Sequence, residues 1–201
     1  MNRRRMILGC AVLALAGCSL TRPHPESTTY AIEPGPGTAS AARRPETLRI
    51  GSVRVAPSFA GQELVYRLDD VRFASDFYNK LIAPPGTMLG TRMGQWLDRW
   101  GPFRVATQPG AAAPATYVLD AVFTDLYGDF RPGQKPAAVM SVQFYLLDVS
   151  SSGSKTLLAR SLGRRIELSQ ASGAELVRGY GIALTEILTE MSADMAKPGG
   201  F

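Results

Sequence analysis

The stretch YVLDAVFT, residues 117–124, decides the fold, because apolar and polar side chains alternate along it. Asp120 and Thr124 point to one face of an extended chain. The other face carries the larger apolar side chains: Tyr117, Leu119, Ala121 and Phe123. A repeat of two residues is the period of a β-strand, so this stretch predicts a strand that buries one face in a core.

Two later segments, residues 139–149 and 156–168, continue the alternation. Turn-forming residues precede the first, at Arg131-Pro132-Gly133, and separate the two, at Ser151-Ser152-Gly153. Short turns of this kind join neighbouring antiparallel strands. We therefore expect an antiparallel meander that begins with the strand at Tyr117.

The segment after the meander predicts the clearest helix. Ser172 and Glu175 have the spacing of a capping box, in which two side chains bond to backbone N–H groups of the first turn. Apolar residues follow at helical spacing: Leu176, Tyr180, Leu184, Ile187, Leu188, Met191 and Met195. Lys197-Pro198-Gly199-Gly200 is predicted to end the helix.

A second amphipathic helix is predicted upstream, between Pro84-Pro85 and Gly101-Pro102. Its apolar residues also recur at helical spacing: Leu89, Met93, Trp96, Leu97 and Trp100. Together with Met88, this stripe is consistent with a groove for an acyl chain, although such residues more often belong to a core. We expect the helix to pack on a sheet.

Further strands are predicted before and after this helix. Residues 48–55 alternate imperfectly around Gly51-Ser52, which indicates a bulge, and Pro57 ends the run. Residues 63–68 and 71–75 are predicted to form a hairpin, with its turn at Asp69-Asp70.

Residues 103–107 add another strand after the helix. A run of strands with two helices, rather than strict alternation, predicts an α+β fold. We expect a mostly antiparallel sheet with both amphipathic helices packed on one face.

The N-terminus predicts a lipoprotein signal peptide over residues 1–17. Arg3, Arg4 and Arg5 precede an apolar run that is shorter than the roughly 20 residues of a transmembrane helix. Leu15-Ala16-Gly17-Cys18 has the form of a bacterial lipobox, so Cys18 is predicted to be acylated and to become the new N-terminus. Bacterial lipoproteins with Asp after this cysteine stay in the inner membrane; Ser19 therefore favours the periplasmic face of the outer membrane.

Residues 18–46 are rich in Pro, Gly, Ser and Thr, which predicts a lipidated N-terminus and flexible tether. The short apolar segment Thr29-Tyr30-Ala31-Ile32 is the exception, and we expect it to add a strand to the edge of the domain. Residues 47–197 then form the folded domain, because a stretch of this size is long enough to bury a core.

Charge and cysteine content exclude several classes of protein. Removal of Arg3, Arg4 and Arg5 lowers the 22 basic side chains to 19, against 17 acidic ones, so the formal charge falls from +5 to +2. The remaining basic residues are scattered, which does not predict nucleic-acid binding. Cys10 is discarded with the signal peptide, which leaves Cys18 without a disulfide partner.

The sequence offers no catalytic constellation, metal site or cofactor motif. His24 is the only histidine, and a single histidine cannot build a zinc site or a Ser-His-Asp triad. Asp69-Asp70 and the pair Asp125 and Asp129 are candidate acid/base carboxylates, but a turn and a solvated strand end explain them better. Arg164-Arg165 is expected to split across a strand, with one arginine on each face.

Six segments occur in a familiar order. They are the lipobox, Tyr30-Ala31-Ile32, the strand from Leu48 to Pro57, Leu64-Val65-Tyr66-Arg67, Phe77-Tyr78-Asn79-Lys80, and the helix with Leu89 and Trp96-Leu97. In this order they resemble the ABC-type transport auxiliary lipoprotein family, which includes the lipoprotein partner of the paraquat-inducible lipid transport system. The resemblance covers most of residues 28 to 195.

This resemblance implies a non-catalytic component of an envelope transporter, anchored to a membrane by lipid. The implied partner is a permease or an MCE-type (mammalian cell entry) periplasmic subunit, and a homo-oligomer such as a ring is left open. We expect the partner to contact the hairpin region through the residues Leu64, Tyr66, Phe77 and Tyr78. Two alternatives are a lipoprotein that activates peptidoglycan synthesis or envelope assembly, and a hydrolase that uses Asp69, Asp120, Asp125 or Asp129.

Overall fold

The computed structural model describes residues 26–40, 43–151 and 153–197. Within these ranges the chain forms eight β-strands, two α-helices and one turn of 3-10 helix at Pro57–Phe59. The elements are, in chain order, β1 Thr28–Tyr30, β2 Arg44–Val55, β3 Glu63–Arg67, β4 Phe73–Leu81, α1 Pro85–Trp100, β5 Phe103–Thr107, β6 Tyr117–Asp129, β7 Ala137–Asp148, β8 Lys155–Glu167 and α2 Gly173–Ala196.

β6 is the branch point of the sheet, and β7 and β8 extend the sheet from one of its edges. β6 pairs antiparallel with β7 from Tyr117 to Asp129, and β7 pairs antiparallel with β8 over nearly its whole length. Alternate side chains of β6 and β7, among them Leu119, Phe123 and Phe144, are fully buried under the helices. The meander predicted from the alternating pattern is therefore confirmed. We call β6, β7, β8 and α2 the platform.

The other edge of β6 divides between two partners. Its first half pairs in parallel with β2, and its last two residues pair in parallel with β3. β5 extends the sheet beyond β2, while β4 and then β1 extend it beyond β3. The sheet thus forks at β6, and we call the branch formed by β3, β4 and β1 the arm.

The α+β class is confirmed, and the sheet is mixed. Among the seven strand pairings of the described residues, four are parallel, namely β1 with β4, β2 with β5, β2 with β6 and β3 with β6. Parallel neighbours require long connections, so they are distant in sequence. A local alternating pattern identifies each strand but not such a neighbour, which is why the sequence predicted a mostly antiparallel sheet.

Both helices lie on one face of the sheet, as predicted. α1 packs on β2 and β5, and α2 packs on β7 and β8. The capping box at the start of α2 is confirmed in part, because Ser172 Oγ accepts a hydrogen bond from the backbone N–H of Glu175. The Glu175 carboxylate accepts from Ser169 Oγ at 2.8 Å.

The bulge expected at Gly51-Ser52 is present in β2, where the pairing with β6 shifts between Ile50 and Val53. The N–H of Ser52 donates to the carboxylate of Asp120 at 2.7 Å. The carboxylate therefore satisfies a backbone donor that the irregular strand leaves unpaired.

The chain between β1 and β2 differs most from its prediction. We call residues 31–40 the strap, because this segment lies across the helices rather than forming a free tether. Ile32 is fully buried, the N–H of Gly35 donates to Thr185 Oγ1 at 2.7 Å, and Trp96 Nε1 donates to the Gly35 carbonyl at 2.9 Å. The packing of residues 31–40 therefore differs from the flexible tether predicted over residues 18–46.

Glycines explain how a segment with the composition of a linker packs so closely. A Cβ on Gly181 of α2 would collide with the carbonyl oxygen of Glu33, and one on Gly37 would collide with the ring of Trp96. The strap can lie between the helices only where side chains are absent. The predicted edge strand at Tyr30 is confirmed as β1.

Candidate functional site

The hairpin turn of the arm is built around Asp69. Its carboxylate accepts the N–H groups of Val71 at 3.0 Å and of Arg72 at 2.7 Å, and these hydrogen bonds lower the pKa of the Asp69 carboxyl. The guanidinium of Arg67 donates to the carbonyls of Asp69 and Asp70. The turn predicted at Asp69-Asp70 is confirmed, and it leaves the Val71 side chain 89% exposed.

A bulge of three residues interrupts β4. Glu63 of β3 pairs with Lys80, but the next residue, Leu64, pairs with Asp76. The residues between these partners on β4, Phe77, Tyr78 and Asn79, therefore have no counterpart on β3. We call them the aromatic bulge.

The carboxylate of Asp76 holds the bulge together. Its Oδ1 accepts the N–H groups of Tyr78 at 2.9 Å and Asn79 at 3.1 Å. Its Oδ2 accepts the hydroxyl of Tyr66 at 2.8 Å and the side-chain amide of Asn79 at 2.8 Å. Four donors on one carboxylate replace the ladder bonds that the bulge removes.

The same hydrogen bonds fix the charge at this position. Partial burial opposes ionisation of Asp76, but the donors from Tyr66, Asn79 and the backbone outweigh it and lower the pKa of the Asp76 carboxyl. Burial, together with the negative charge of Asp76, raises the pKa of Tyr66. Asp76 is therefore an ionised acceptor and Tyr66 a neutral donor at neutral pH.

The bulge places two consecutive aromatic side chains on the surface. Phe77 is 72% exposed and Tyr78 is 51% exposed. In a regular strand, successive side chains point to opposite faces, so one of the two would turn inward. Among the described residues, eight large hydrophobic side chains are exposed, and five lie between residues 71 and 82. The hairpin turn, β4 and the residue that follows β4 therefore carry most of these eight side chains.

A buried carboxylate ties the arm to the platform. Asp129 is 1% exposed and accepts two hydrogen bonds from Arg131, both at 2.9 Å, and one from Arg165 at 2.6 Å. Arg131 also donates to Asp70 in the hairpin turn at 3.0 Å. The hydrogen bonds from Arg131, with those from Arg165, outweigh burial and lower the pKa of Asp129.

This arrangement corrects the prediction that Asp129 is a solvated strand end. Its sequence position at the end of β6 does not reveal that Arg165 of β8 reaches it across β7. The predicted split of the arginine pair is confirmed, because Arg164 bonds instead to Glu186 and Glu190 on α2. Asp129 is therefore part of a structural ion pair.

The four residues predicted to contact a partner have different positions. Leu64 is 2% exposed and lies in the core, so its side chain offers no surface. Tyr66 is half-buried, stacks on Phe130 with ring centroids 4.9 Å apart, and supports the bulge through its hydroxyl. Phe77 and Tyr78 are the two that face outward. The sequence signal that was missed is Asp76, a turn-forming residue inside a strand.

The other predicted candidates have structural partners. Asp69 caps the hairpin turn, Asp120 caps the bulge of β2, and Asp125 accepts the hydroxyl of Thr124 at 3.2 Å. Within the described residues, no group of three or more His, Cys, Asp or Glu side chains is arranged to hold a metal ion. Cys18 and His24 lie outside the described residues.

The stripe considered for an acyl chain belongs to the core. Met88, Met93 and Trp96 are almost fully buried, and the strap contacts Met88 through Ile32 and Trp96 through Gly35, whereas Trp100 is half-buried. An open groove of about 620 Å³ remains between the strap and α1, where Arg92 pairs with Glu33 and Arg99 lies over the Trp100 ring. Among the helices described, none is long and apolar enough to span a bilayer.

Comparison with protein families gives one match that covers most of the chain. The model of the ABC-type transport auxiliary lipoprotein component matches residues 30–192. The match begins inside β1, in agreement with a domain that includes the strap. No curated protein sequence matches this chain.

Solved structures with a similar fold have low sequence identity. Protein XCC0632 from Xanthomonas campestris is 17% identical, with a TM-score of 0.74 over 85% of this chain and 95% of its own. An uncharacterized protein is 19% identical, with a TM-score of 0.59 over 85% of this chain and 97% of its own. At these identities the likeness shows the fold.

Proposed function

The chain belongs to the ABC-type transport auxiliary lipoprotein family, and from this premise we propose that it is a non-catalytic docking adaptor at the outer membrane. The adaptor is anchored through lipid on Cys18 and keeps a subunit of an envelope transporter, of the MCE type or a permease, close to that membrane. The transported solute is a lipid or another hydrophobic molecule.

The observation that carries this proposal is the aromatic bulge. Burying an aromatic side chain in a contact stabilises that contact by about 1.5–3 kcal/mol for each side chain that becomes fully buried. A folded domain that keeps such residues exposed, on a bulge held by four hydrogen bonds to Asp76, has a surface suited to binding. Phe77 and Tyr78 are the proposed contact residues.

The polar side chains that sequence analysis singled out for chemistry support a binding role. Asp69, Asp120 and Asp129 each accept hydrogen bonds within the domain. A carboxylate that serves acid/base catalysis needs access to a substrate and a pKa near the working pH. The pKa values of Asp69 and Asp129 are instead lowered by their donors.

Recovery of partners from the envelope tests the proposal. Cells expressing the full chain with a C-terminal tag are crosslinked, the envelope is solubilised in detergent, and the recovered proteins are identified by mass spectrometry. We expect an ABC permease or an MCE-type subunit, recovered in proportion to the tagged chain. A matched sample with Cys18→Ala, which removes the acylated residue, should lose membrane retention and most of this recovery.

Other outcomes are decisive as well. Recovery of a peptidoglycan synthase in place of a transporter subunit would overturn the proposal in favour of the cell-wall alternative. Crosslinked samples without any transporter component would also overturn it. Self-crosslinked ladders of this chain alongside a transporter subunit would support the proposal and define the homo-oligomer that the sequence leaves open.

A further inference from the structure

We propose that the groove between the strap and α1 binds a phosphate ester, with Arg92 and Arg99 as the ligands of the phosphate group. We call this site the strap groove, and it lies between residues 33–36 and the C-terminal half of α1. The strap groove shares no residue with the aromatic bulge. It is therefore a second binding site, separate from the surface that we assign to the transporter subunit.

The two arginines lie on one face of α1. They are seven residues apart, which corresponds to two helical turns and about 10 Å along the axis. Arg92 Nη1 donates to Oε1 of Gln95 at 3.0 Å, so this guanidinium is directed along the helix toward Arg99. Two guanidinium groups on long side chains can therefore meet one anion over Gln95.

The positive charge of the groove exceeds its negative charge. Glu33 forms an ion pair with Arg92. Arg99 pairs with no acid among the described residues, and its guanidinium lies over the Trp100 ring, 5.2 Å from the centroid. A further guanidinium, that of Arg43, donates to the carbonyl of Arg99 at the end of α1. The groove therefore contains a cation that stacking holds in place and that no carboxylate of the described chain neutralises.

A phosphate ester fits this charge better than a carboxylate does. A carboxylate satisfies one guanidinium, as Glu33 does for Arg92. A phosphate group has more acceptor oxygens and can accept hydrogen bonds from two guanidinium groups at once. Glu33 is the more exposed member of its ion pair, at 59% against 29% for Arg92, so it can turn toward water when phosphate takes its place.

The opposite side of the strap gives an internal comparison. A second groove, of about 500 Å³, lies between the strap and α2. Besides Glu33, its charged residues are Arg178 and Glu186, which pair with Glu175 and Arg164. Each charged side chain of that groove thus already has a partner, although the groove is nearly as large. The charge of the strap groove is therefore what favours an anion there.

The size and the walls of the strap groove suit a ligand larger than inorganic phosphate. Its volume of about 620 Å³ lies in the range of small-molecule sites, about 300–1,000 Å³. Trp96 closes the floor, since its Nε1 donates to the Gly35 carbonyl, and the half-buried Trp100 ring offers an apolar surface. We expect the alcohol part of the ester, such as an acylated glycerol, to contact this ring.

Intrinsic fluorescence tests the proposal, because Trp96 and Trp100 are the only tryptophans of the sequence and both line the groove. The purified full chain, in a neutral detergent, is titrated with dihexanoyl phosphatidic acid, glycerol 3-phosphate and dihexanoylglycerol. The first two probes contain a phosphate ester. The third has the same acyl chains as the first but no phosphate.

We expect a saturable change in tryptophan emission with a phosphate ester and none with dihexanoylglycerol. A response to phosphatidic acid alone assigns the groove to a lipid headgroup, and a response to glycerol 3-phosphate assigns it to soluble phosphate esters; either result supports the proposal. Unchanged emission with both phosphate esters would overturn it. An equal response to dihexanoylglycerol would also overturn it, because phosphate would then not be recognised.

Arg99→Gln is the first variant, because this side chain forms no ion pair with the described residues and its loss should leave the fold unchanged. It should weaken binding of the phosphate ester by at least about tenfold, the effect of one lost hydrogen bond to a charged group. Arg178→Gln, on the other side of the strap, is the matched control and should titrate like the parent chain. Equal affinity of Arg99→Gln and the parent chain would contradict the assignment.

Two further variants separate a phosphate contact from a structural role of the ion pair. Arg92→Gln and Glu33→Gln both break the same pair. Arg92→Gln should weaken binding, whereas Glu33→Gln removes the competing carboxylate and should strengthen it. Weaker binding in both variants would show that the pair only holds the strap, and the proposal would fail.

Docking and phosphate binding can be tested separately in the same chain. Recovery of the transporter subunit from crosslinked envelopes should persist in Arg99→Gln, because docking uses the aromatic bulge. A parent chain that recovers the transporter subunit but shows no fluorescence response to either phosphate ester would retain the docking function and overturn the strap groove as a phosphate site.

Discussion

The platform and the arm are held together in different ways. In the platform, β6, β7 and β8 form long antiparallel ladders under α2, and the buried side chains, apart from Asp129 at the end of β6, are apolar. In the arm, the pairing of β3 with β4 is interrupted, and the carboxylates of Asp69 and Asp76 bind the backbone groups that the ladder leaves free. Arg131 connects the two regions, because its guanidinium donates both to Asp129 of the platform and to Asp70 of the hairpin turn.

This difference predicts which substitutions reduce the stability of the molecule most. Apolar burial and backbone ladders are insensitive to the charge of any one residue, whereas a carboxylate with several donors loses all of its contacts with one substitution. We therefore expect the loss of a single carboxylate to affect the arm, and the junction between the arm and β6, more than the loss of a solvent-exposed carboxylate elsewhere in the platform.

The largest effect is expected for Asp129→Ala. The substitution leaves Arg131 and Arg165 without the carboxylate that both contact. Because both guanidinium groups keep some access to water, we expect a cost of about 2–4 kcal/mol, below the full cost of breaking a buried pair. Urea unfolding measures the free energy of unfolding. Asp125→Ala, four residues away on the same strand, is the matched control and should cost about 1 kcal/mol or less. Equal losses for both variants would contradict the role given to Asp129.

Low pH should reduce the stability that the Asp129 carboxylate contributes. The pKa of Asp129 is lowered in the folded state, so its contribution to stability is fully present above the unfolded-state value, near 3.9. The contribution is lost as pH falls from that value toward the folded-state pKa. Unfolding curves between pH 7 and pH 2 should show this loss in the parent protein and a smaller one in Asp129→Asn. Parallel curves would contradict the prediction.

A smaller effect is expected for Asp76→Ala. Hydrogen bonds to a charged group contribute about 1.5–3 kcal/mol, and the N–H groups of Tyr78 and Asn79 both donate to this carboxylate. Hydrogen exchange should show faster exchange of the Tyr78 and Asn79 amides, with the amides of β7 unchanged. As a control in the platform, Ser172→Ala removes one helix cap and should cost about 1 kcal/mol without exposing the bulge. Unchanged exchange at Tyr78 would show that Asp76 does not hold the bulge.

The smallest effect on stability is expected for Phe77→Ser. Because the side chain is mostly exposed, the free energy of unfolding should stay within about 0.5 kcal/mol of the parent value. Phe144→Ser in the platform is the contrasting variant, since that ring is fully buried, and it should cost several kcal/mol. A large loss at Phe77 would mean that the bulge is part of the core.

The platform could be predicted from the sequence because each of its elements has a local period. The alternation after Tyr117 and the helical spacing after Ser172 identify strands and helix without knowledge of their neighbours. The meander follows from short turns, which restrict consecutive strands to neighbouring positions.

The arm and the strap could not be predicted fully, because their decisive contacts are distant in sequence. The bulge depends on Tyr66 donating to Asp76, and the strap depends on Gly35 meeting Thr185, 150 positions later. Pro and Gly in residues 31–40 have the composition of a linker, and only the space between α1 and α2 makes them a packed segment. Leu64 and Tyr66 were assigned to the surface because a short hairpin does not reveal which face is covered.

The parallel pairing of β1 with β4 also decides how the domain carries a mechanical load. A pull on the N-terminus acts along β1, so the contacts of Thr28, Thr29 and Tyr30 with β4 are sheared together rather than opened one after another. Beyond them, the buried Ile32 and the Gly35 hydrogen bonds pass the force to α1 and α2 at once. A force applied to the N-terminus would thus be distributed over both helices instead of separating an edge strand from the sheet.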